Sequence, residues 1–203
     1  MAITNGYATL AELKSYLKID DSVEDALLEQ IIESASRMVD DLANRSFTVP
    51  AATSVRYYYP RNVYTLPIDD LANTTGLVVQ TDPDSTGTYA TTLTLDVDYL
   101  LEPLNAAPEG RPYTFVRIVG SRSWGFSQIA TARPAVKITG RFGWPAIPDA
   151  ITQATLILSA DLYKRKDSVG GVLGLSEMGA IRMSPLGRDV AKIVRAYRKE
   201  FFA

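Results

Sequence analysis

The sequence predicts an α+β fold, with a helical core built from both ends of the chain and a small antiparallel β module inserted between them. Three observations predict it. Apolar residues step by three and four from Leu28 to Leu42; the period drops to two from about Pro50; helical spacing returns after Pro148. The expected boundaries are 1–49 for the first helical part, 50–145 for the β module, and 146–203 for the second helical part with its glycine-rich loop and basic tail.

Thr9 and Glu12 have the spacing of a capping box, in which each side chain satisfies a backbone N–H at a helix start. Leu10, Leu13 and Leu17 then share one helical face, and Lys18-Ile19-Asp20-Asp21 breaks it. Ser22 and Asp25 form a weaker box, because aspartate reaches back less well than glutamate. The helix that follows is the most regular signal in the chain. Leu28, Ile31, Ala35, Met38 and Leu42 form its stripe, Leu27, Ile32 and Val39 widen it, and Glu29, Glu33, Arg37 and Asp40 line the other face. Asn44, Arg45 and Ser46 leave the helix, and Phe47 is expected to return to the core.

In the β region Val55, Tyr57 and Tyr59 alternate with Arg56 and Tyr58 until Pro60 stops the run. Leu77-Val78-Val79 and Thr92 to Tyr99 flank the turn-rich segment from Asp82 to Gly87 and read as a hairpin. Its second strand is expected to place Leu93, Leu95, Val97 and Tyr99 inward, with Thr94, Asp96 and Asp98 outward. Phe115 to Val119 and Ala135 to Thr139 supply two more strands, separated by a polar loop bearing Trp124 and Phe126.

The stretch from Ile138 to Ser168 organises the rest. Pro148 suits the first helical position, where its missing N–H costs nothing, and Asp149 complements the positive end of the helix dipole. Ile151, Ala154, Leu156, Ile157, Leu158, Ala160 and Leu162 leave little polar face, so this helix is expected to be packed all round. From Ser168 to Gly187, glycines at 170, 171, 174, 179 and 187 argue against a regular element. The same segment holds Val172, Leu173, Leu175, Met178, Ile181 and Met183, an apolar content unusual for a surface loop. We therefore expect it to mark an interaction site, mobile in the free subunit and ordered in an assembly. A last helix carries Val190, Ile193, Val194, Tyr197 and Phe201 on one stripe and Arg188, Lys192, Arg195 and Arg198 along its flank. Packing of that stripe on its own core and packing on a partner stand as equal alternatives.

At 203 residues, 46% hydrophobic and 22% charged, the chain fits one compact domain, or one domain with an insertion, and is not disordered. A net charge of −2 gives no general attraction to nucleic acid or anionic membranes. It hides an asymmetry: nine acids against three bases between Thr9 and Leu42, but a basic stretch from Arg182 onward. Such ends attract one another within a molecule or between copies. The chain has no cysteine and no histidine, which removes disulfides, thiol chemistry, the commonest general base and the commonest transition-metal ligand. No run approaches a membrane span and no signal-peptide layout opens the chain, so a reducing cytoplasm is the expected setting.

Catalytic and cofactor motifs fail one by one. Gly170-Gly171-Val172-Leu173-Gly174 lacks the Lys-Ser/Thr of a phosphate loop and follows a helix. The pairs Asp20-Asp21, Asp40-Asp41, Asp69-Asp70 and Asp96 with Asp98 suit a hard cation in principle, but caps, turns and a solvated strand face account for them better. Ser121, Ser123 and Ser127 have no base to activate them. The expectation is no catalytic residue, no cofactor and no metal.

With those segments in hand, the chain resembles the head–tail connector (adaptor) proteins of long-tailed bacteriophages, prophages and gene-transfer particles. The likeness lies in the entry Tyr7-Ala8-Thr9-Leu10-Ala11-Glu12-Leu13-Lys14-Ser15-Tyr16-Leu17 and in the acidic helix ending Asp41-Leu42-Ala43-Asn44-Arg45-Ser46-Phe47. It continues in Gly143-Trp144-Pro145-Ala146-Ile147-Pro148, in Leu162-Tyr163-Lys164-Arg165-Lys166-Asp167, and in the basic C-terminal helix. The β module departs from the shortest, nearly all-helical members. The resemblance implies a non-enzymatic virion protein of the neck, made in the host cytoplasm. Such a protein forms a ring of about twelve copies between the portal and a stopper or tail-completion protein. DNA passes through its lumen without sequence-specific binding, and no membrane is involved. By the same analogy the helix from Arg188 docks on the portal, and the loop from Ser168 to Gly187 lies at ring contacts or faces the next component. The alternative is a small cytoplasmic binding module unrelated to virions, with a ligand held around Trp124 and Trp144.

Overall fold

The computed structural model describes residues 3–82, 84, 86–120, 124, 133–166, 172–176, 179–182 and 188–199. The chain divides into two compact units, Met1–Phe47 with Ile147–Ala203, and Thr48–Ala146.

The first unit contains helices α1 (Leu10–Leu17), α2 (Asp25–Ala43), α3 (Asp149–Arg165) and α4 (Arg188–Arg195), and a hairpin of β7 (Val172–Ser176) and β8 (Gly179–Arg182). The capping box at α1 forms as the spacing predicts. Thr9 Oγ1 accepts the Glu12 N–H at 3.2 Å, and the Thr9 N–H donates to Glu12 Oε2 at 2.7 Å. Lys18 and Asn44 end α1 and α2 in the left-handed conformation, where their N–H groups close the last turns. The weaker box at Ser22 does not form: the cap of α2 is Glu24, which makes no side-chain cap bond.

Helix α2 turns a slightly different face inward than the stripe implied. Leu28, Ile32, Ala35, Val39 and Ala43 are buried, while Leu27 and Leu42 are exposed. Leu28 and Ile32 cluster with Ala8, Leu13 and Leu156. Helix α3 packs on α1, α2 and α4, which explains its apolar girth. Pro148 sits one residue ahead of it as the extended N-cap. Thr155, buried in the middle, satisfies its hydroxyl by donating to Ile151 O at 2.9 Å.

The second unit overturns the expected architecture. It is not a small module carried by a helical core but a six-stranded antiparallel sheet with a core of its own. The strands are β1 (Ser54–Tyr58), β2 (Thr65–Thr81), β3 (Thr91–Leu93), β4 (Tyr99–Glu102), β5 (Tyr113–Ile118) and β6 (Val136–Phe142). The order is β1-β6-β2-β5-β4, and β3 pairs with β2. Leu66, Leu71, Val79, Tyr99, Val116, Trp124 and Ile138 lie at the centre of its core. The spine is β2, 17 residues long, and its stretch up to Gly76 escapes pattern reading because Pro67, Asp69, Asp70, Asn73 and Gly76 look like turn residues. Register shifts between Pro67 and Leu71, and again on either side of Asn73, let the strand absorb them.

The hairpin of β2 and β3 exists, with Val79 opposite Leu93, but the clean alternation from Thr92 to Tyr99 does not run on as one strand. Asp96 takes a positive φ of 64°, and the Asp98 carboxylate accepts the Thr94 N–H at 2.8 Å. The chain therefore folds back after Leu93. Val97 points to solvent and Asp98 is buried, the reverse of the expectation for both. At the unit's boundary the Trp144 N–H donates to Thr48 O at 3.0 Å, so the entering and leaving chain segments are tied together. Gly143 has φ 149°, and a Cβ there would stand 2.2 Å from Thr48 O.

Candidate assembly surfaces

Helix α4 shows where the tail goes. Val190 and Val194, one turn apart, are each 1% exposed, and the helix packs on α2 and α3. Its continuation is pinned as well. The Tyr197 ring meets Phe47 edge-on at 5.9 Å, Phe47 meets Tyr7 edge-on at 5.8 Å, and the Lys199 N–H donates to Ala43 O at 2.8 Å. Of the two alternatives for the stripe, its central valines thus lie in the chain's own core. Ile193 and Tyr197 are partly buried, whereas Lys192, Arg195 and Arg198 are exposed. Lys192 reaches Asp189 one turn back at 3.2 Å. Phe201 lies outside the described residues, and so does the side chain of Arg188.

The glycine-rich segment contains a regular element after all. Strands β7 and β8 pair antiparallel with Val172 opposite Arg182 and Ser176 opposite Gly179. Gly174 falls where the register shifts, which is how a strand tolerates a glycine. Val172, Leu173 and Leu175 belong to β7 and Ile181 to β8; Met178 and Met183 lie outside the described residues.

Two polar nodes brace the helical unit, and pattern reading identified neither. The Tyr7 hydroxyl donates to Asp40 Oδ1 at 2.6 Å, accepts the Phe47 N–H at 2.8 Å, and lies 3.1 Å from Ser46 Oγ. Burial raises the Asp40 carboxyl above its ordinary value, opposed by the Tyr7 hydroxyl and the charge of Arg37. Burial likewise raises the Tyr7 phenol, and its bond to Asp40 adds to this. In the second node Glu24 takes hydrogen bonds from Lys166 and from the Tyr163 hydroxyl. The Lys166 bond, then that of Tyr163, holds the Glu24 carboxyl below its usual range. Tyr7 and Tyr163 both stand in the segments that carry the family resemblance, which was the available signal.

One acid of each predicted pair, and Asp82 of the turn, has a structural partner. Asp69 pairs with Arg56 at 2.6 Å and accepts from the Tyr58 hydroxyl at 3.0 Å. Asp82 accepts the Gly87 and Thr86 N–H groups at 2.6 and 3.1 Å. Burial opposes its charge, but those amides prevail and its carboxyl is lowered. Asp21 accepts the Val23 N–H in the α1–α2 turn. Among the described residues no group of three or more His, Cys, Asp or Glu is placed to hold a metal ion. Among them, too, no helix is long and apolar enough to cross a membrane. Trp124 and Trp144 are both buried in the sheet unit. Ser121, Ser123, Ser127 and Phe126 lie outside the described residues.

Residues 7–97 match the family model described as Phage gp6-like head-tail connector protein. No curated protein matches the chain. Among solved structures, the fold is similar to a chain from the neck of an empty gene transfer agent (GTA) particle computed with C6 symmetry. That likeness has a TM-score of 0.55 and 18% identity, and covers 100% of this chain and 95% of that one. A chain from the virion of the native gene transfer agent particle is similar at a TM-score of 0.53 and 18% identity, with the same coverage. These likenesses extend through the sheet unit, so the β region is part of a shared fold. This chain is thus similar in sequence, over residues 7–97, to the Phage gp6-like head-tail connector family, and similar in fold, over its whole length, to chains of the gene transfer agent neck and virion.

Proposed function

We propose that the protein is a structural, non-enzymatic component of a virion neck. As a head–tail connector it forms a ring of about twelve copies that joins the portal of a DNA-filled capsid to a stopper or tail-completion protein. The observation that carries this reading is the match of residues 7–97 to the head–tail connector family. The fold likeness to a chain of the gene transfer agent neck supports it, and the C6 symmetry of that neck accommodates rings whose copy number is a multiple of six. The net charge of −2 suits a lumen through which DNA passes without being gripped.

Within that reading, α4 docks on the portal through its exposed basic edge of Lys192, Arg195 and Arg198, while Val190 and Val194 anchor the helix to its own unit. The hairpin of β7 and β8 serves ring contacts or the next component. Electron micrographs of the purified protein mixed with portal test this. A ring stacked on the portal is expected. A monomer that neither forms rings nor docks overturns the reading.

A further inference from the structure

The strand register lays out the outer face of the sheet residue by residue. Val55 of β1, Thr139 of β6 and Val78 of β2 form one cross-strand row, and Tyr57, Lys137 and Gln80 form the next. The Tyr89 ring leans on Tyr57 with centroids 5.6 Å apart, and Lys137 Nζ lies 5.8 Å from the Tyr89 centroid. On the opposite face the same strands bury Val136, Ile138 and Val79. The outer rows hold no acid, one lysine, and a tyrosine that is 53% exposed. Charge-poor, aromatic-rich composition characterises the centre of a protein interface, not a solvated sheet face. Strand β1 is also an edge strand, and its exposed Val55 and Tyr57 do nothing to discourage association there.

A second, different patch lies in the helical unit. Val23 is 87% exposed at the α1–α2 turn, with Leu27 one turn on and Tyr16 on the neighbouring helix, both exposed. At this end Lys14 is committed to Asp25 and Lys166 to Glu24. The exposed acids Glu12, Asp20 and Asp21 then outnumber the exposed Lys18 and Lys164.

We propose that the outer sheet face centred on Tyr57 receives the α1–α2 turn of a second copy of this chain. Val23 and Leu27 seat on Val55, Tyr57 and Val78, and Lys137 faces Asp20 and Asp21 of the incoming copy. One patch is apolar with a basic member and the other apolar with an acidic rim, so charge complementarity favours the unlike pairing over either patch meeting itself. Contact between two different surfaces is heterologous, and a heterologous contact that closes generates a ring. The inference rests on the ring reading above and names the contact that builds it.

The absence of cysteine makes the test clean. Full-length protein carrying both Val23→Cys and Tyr57→Cys is assembled, oxidised and run without reductant. A ladder of covalent oligomers, collapsed by reductant and reduced to dimers at most in either single variant, is expected. Rings in the micrographs with no ladder overturn this contact and leave the ring reading standing. An oxidised monomer, its disulfide closed within one chain, also overturns it. The absence of both rings and ladder overturns the two together. Lys137→Glu provides an independent readout: it raises the concentration needed for ring formation about tenfold, and Asp21→Lys restores it. Failure of that rescue in folded protein counts against the proposed pairing.

Discussion

Replacing Tyr7 by phenylalanine isolates one hydroxyl that serves three partners. The ring stays, so the edge-on contact with Phe47 survives and no cavity larger than an oxygen opens. What is lost is one of the acceptors around the Phe47 N–H, which also bonds the Asp40 carboxylate, and the donor to Asp40. A hydrogen bond to a charged group is worth about 1.5–3 kcal/mol, and the Phe47 N–H keeps Asp40 as a partner, so a loss of about 1.5–3 kcal/mol is expected. Urea unfolding followed by far-UV circular dichroism reads it in the helical unit, while fluorescence reads Trp124 and Trp144, both in the sheet unit. The pH dependence adds a second check. The folded-state value of Asp40 is raised, so its contribution to stability is fully present below about pH 4 and lost as pH rises through the folded value. Removing the Tyr7 donor raises that value further, and the gap between variant and parent should widen from pH 4 to neutrality. A loss under about 0.5 kcal/mol, or a gap that is flat with pH, would refute the assignment of Tyr7 as the brace between Asp40 and Phe47.

Four further outcomes are expected. Gly143→Ala forces a Cβ against Thr48 O in a backbone region that disfavours side chains, and should cost at least about 2 kcal/mol, read by tryptophan fluorescence. Glu24→Gln removes a carboxyl whose folded-state value is lowered. The parent's contribution from Glu24 is present above the unfolded value and lost as pH falls through the folded one, so the variant should show a shallower acid decline in thermal melts. Ending the chain after Gly187 uncovers the surface that Val190 and Val194 bury, and should lower the melting temperature of the helical unit. Arg195→Glu with Arg198→Glu should leave that temperature unchanged and slow docking on the portal in stopped-flow mixing. Equal docking rates would remove the basic edge from the proposal.

What could be read from the sequence follows the range of the forces involved. The capping box at Thr9 and Glu12 is local, three residues wide, and it formed as written. The return of Phe47 to the core follows from its size and its place after a left-handed stop at Asn44. The sheet was under-read because β2 holds a proline, two adjacent aspartates and a glycine, and only pairing with distant β5 and β6 makes a strand of them. The run from Thr92 to Tyr99 misled in the opposite way: its period of two is real, yet a single carboxylate at Asp98 capturing the Thr94 N–H bends the chain out of line. For α4 the limit lies in the signal itself. An amphipathic stripe records that one face is covered, not whether its own chain or another covers it, and here Val190 and Val194 turned inward. Neither candidate contact surface announced itself, because Tyr57 and Val55 alternate as any strand does, and the register alone places them beside Val78 and Lys137.

The tie between Thr48 and Trp144 also sets a timetable for synthesis. Residues 48–146 are continuous, so the sheet unit holds every strand it needs before α3 has left the ribosome. The helical unit must wait. Leu28 and Ile32 are made early, but Leu156, which completes their cluster, comes more than a hundred residues later. At about 5–20 residues per second, α2 carries an uncovered apolar face for roughly 5–25 s. The N-terminal helices are therefore the part of the nascent chain most in need of a chaperone, and a stall within residues 48–146 should aggregate through α2 and not through the sheet.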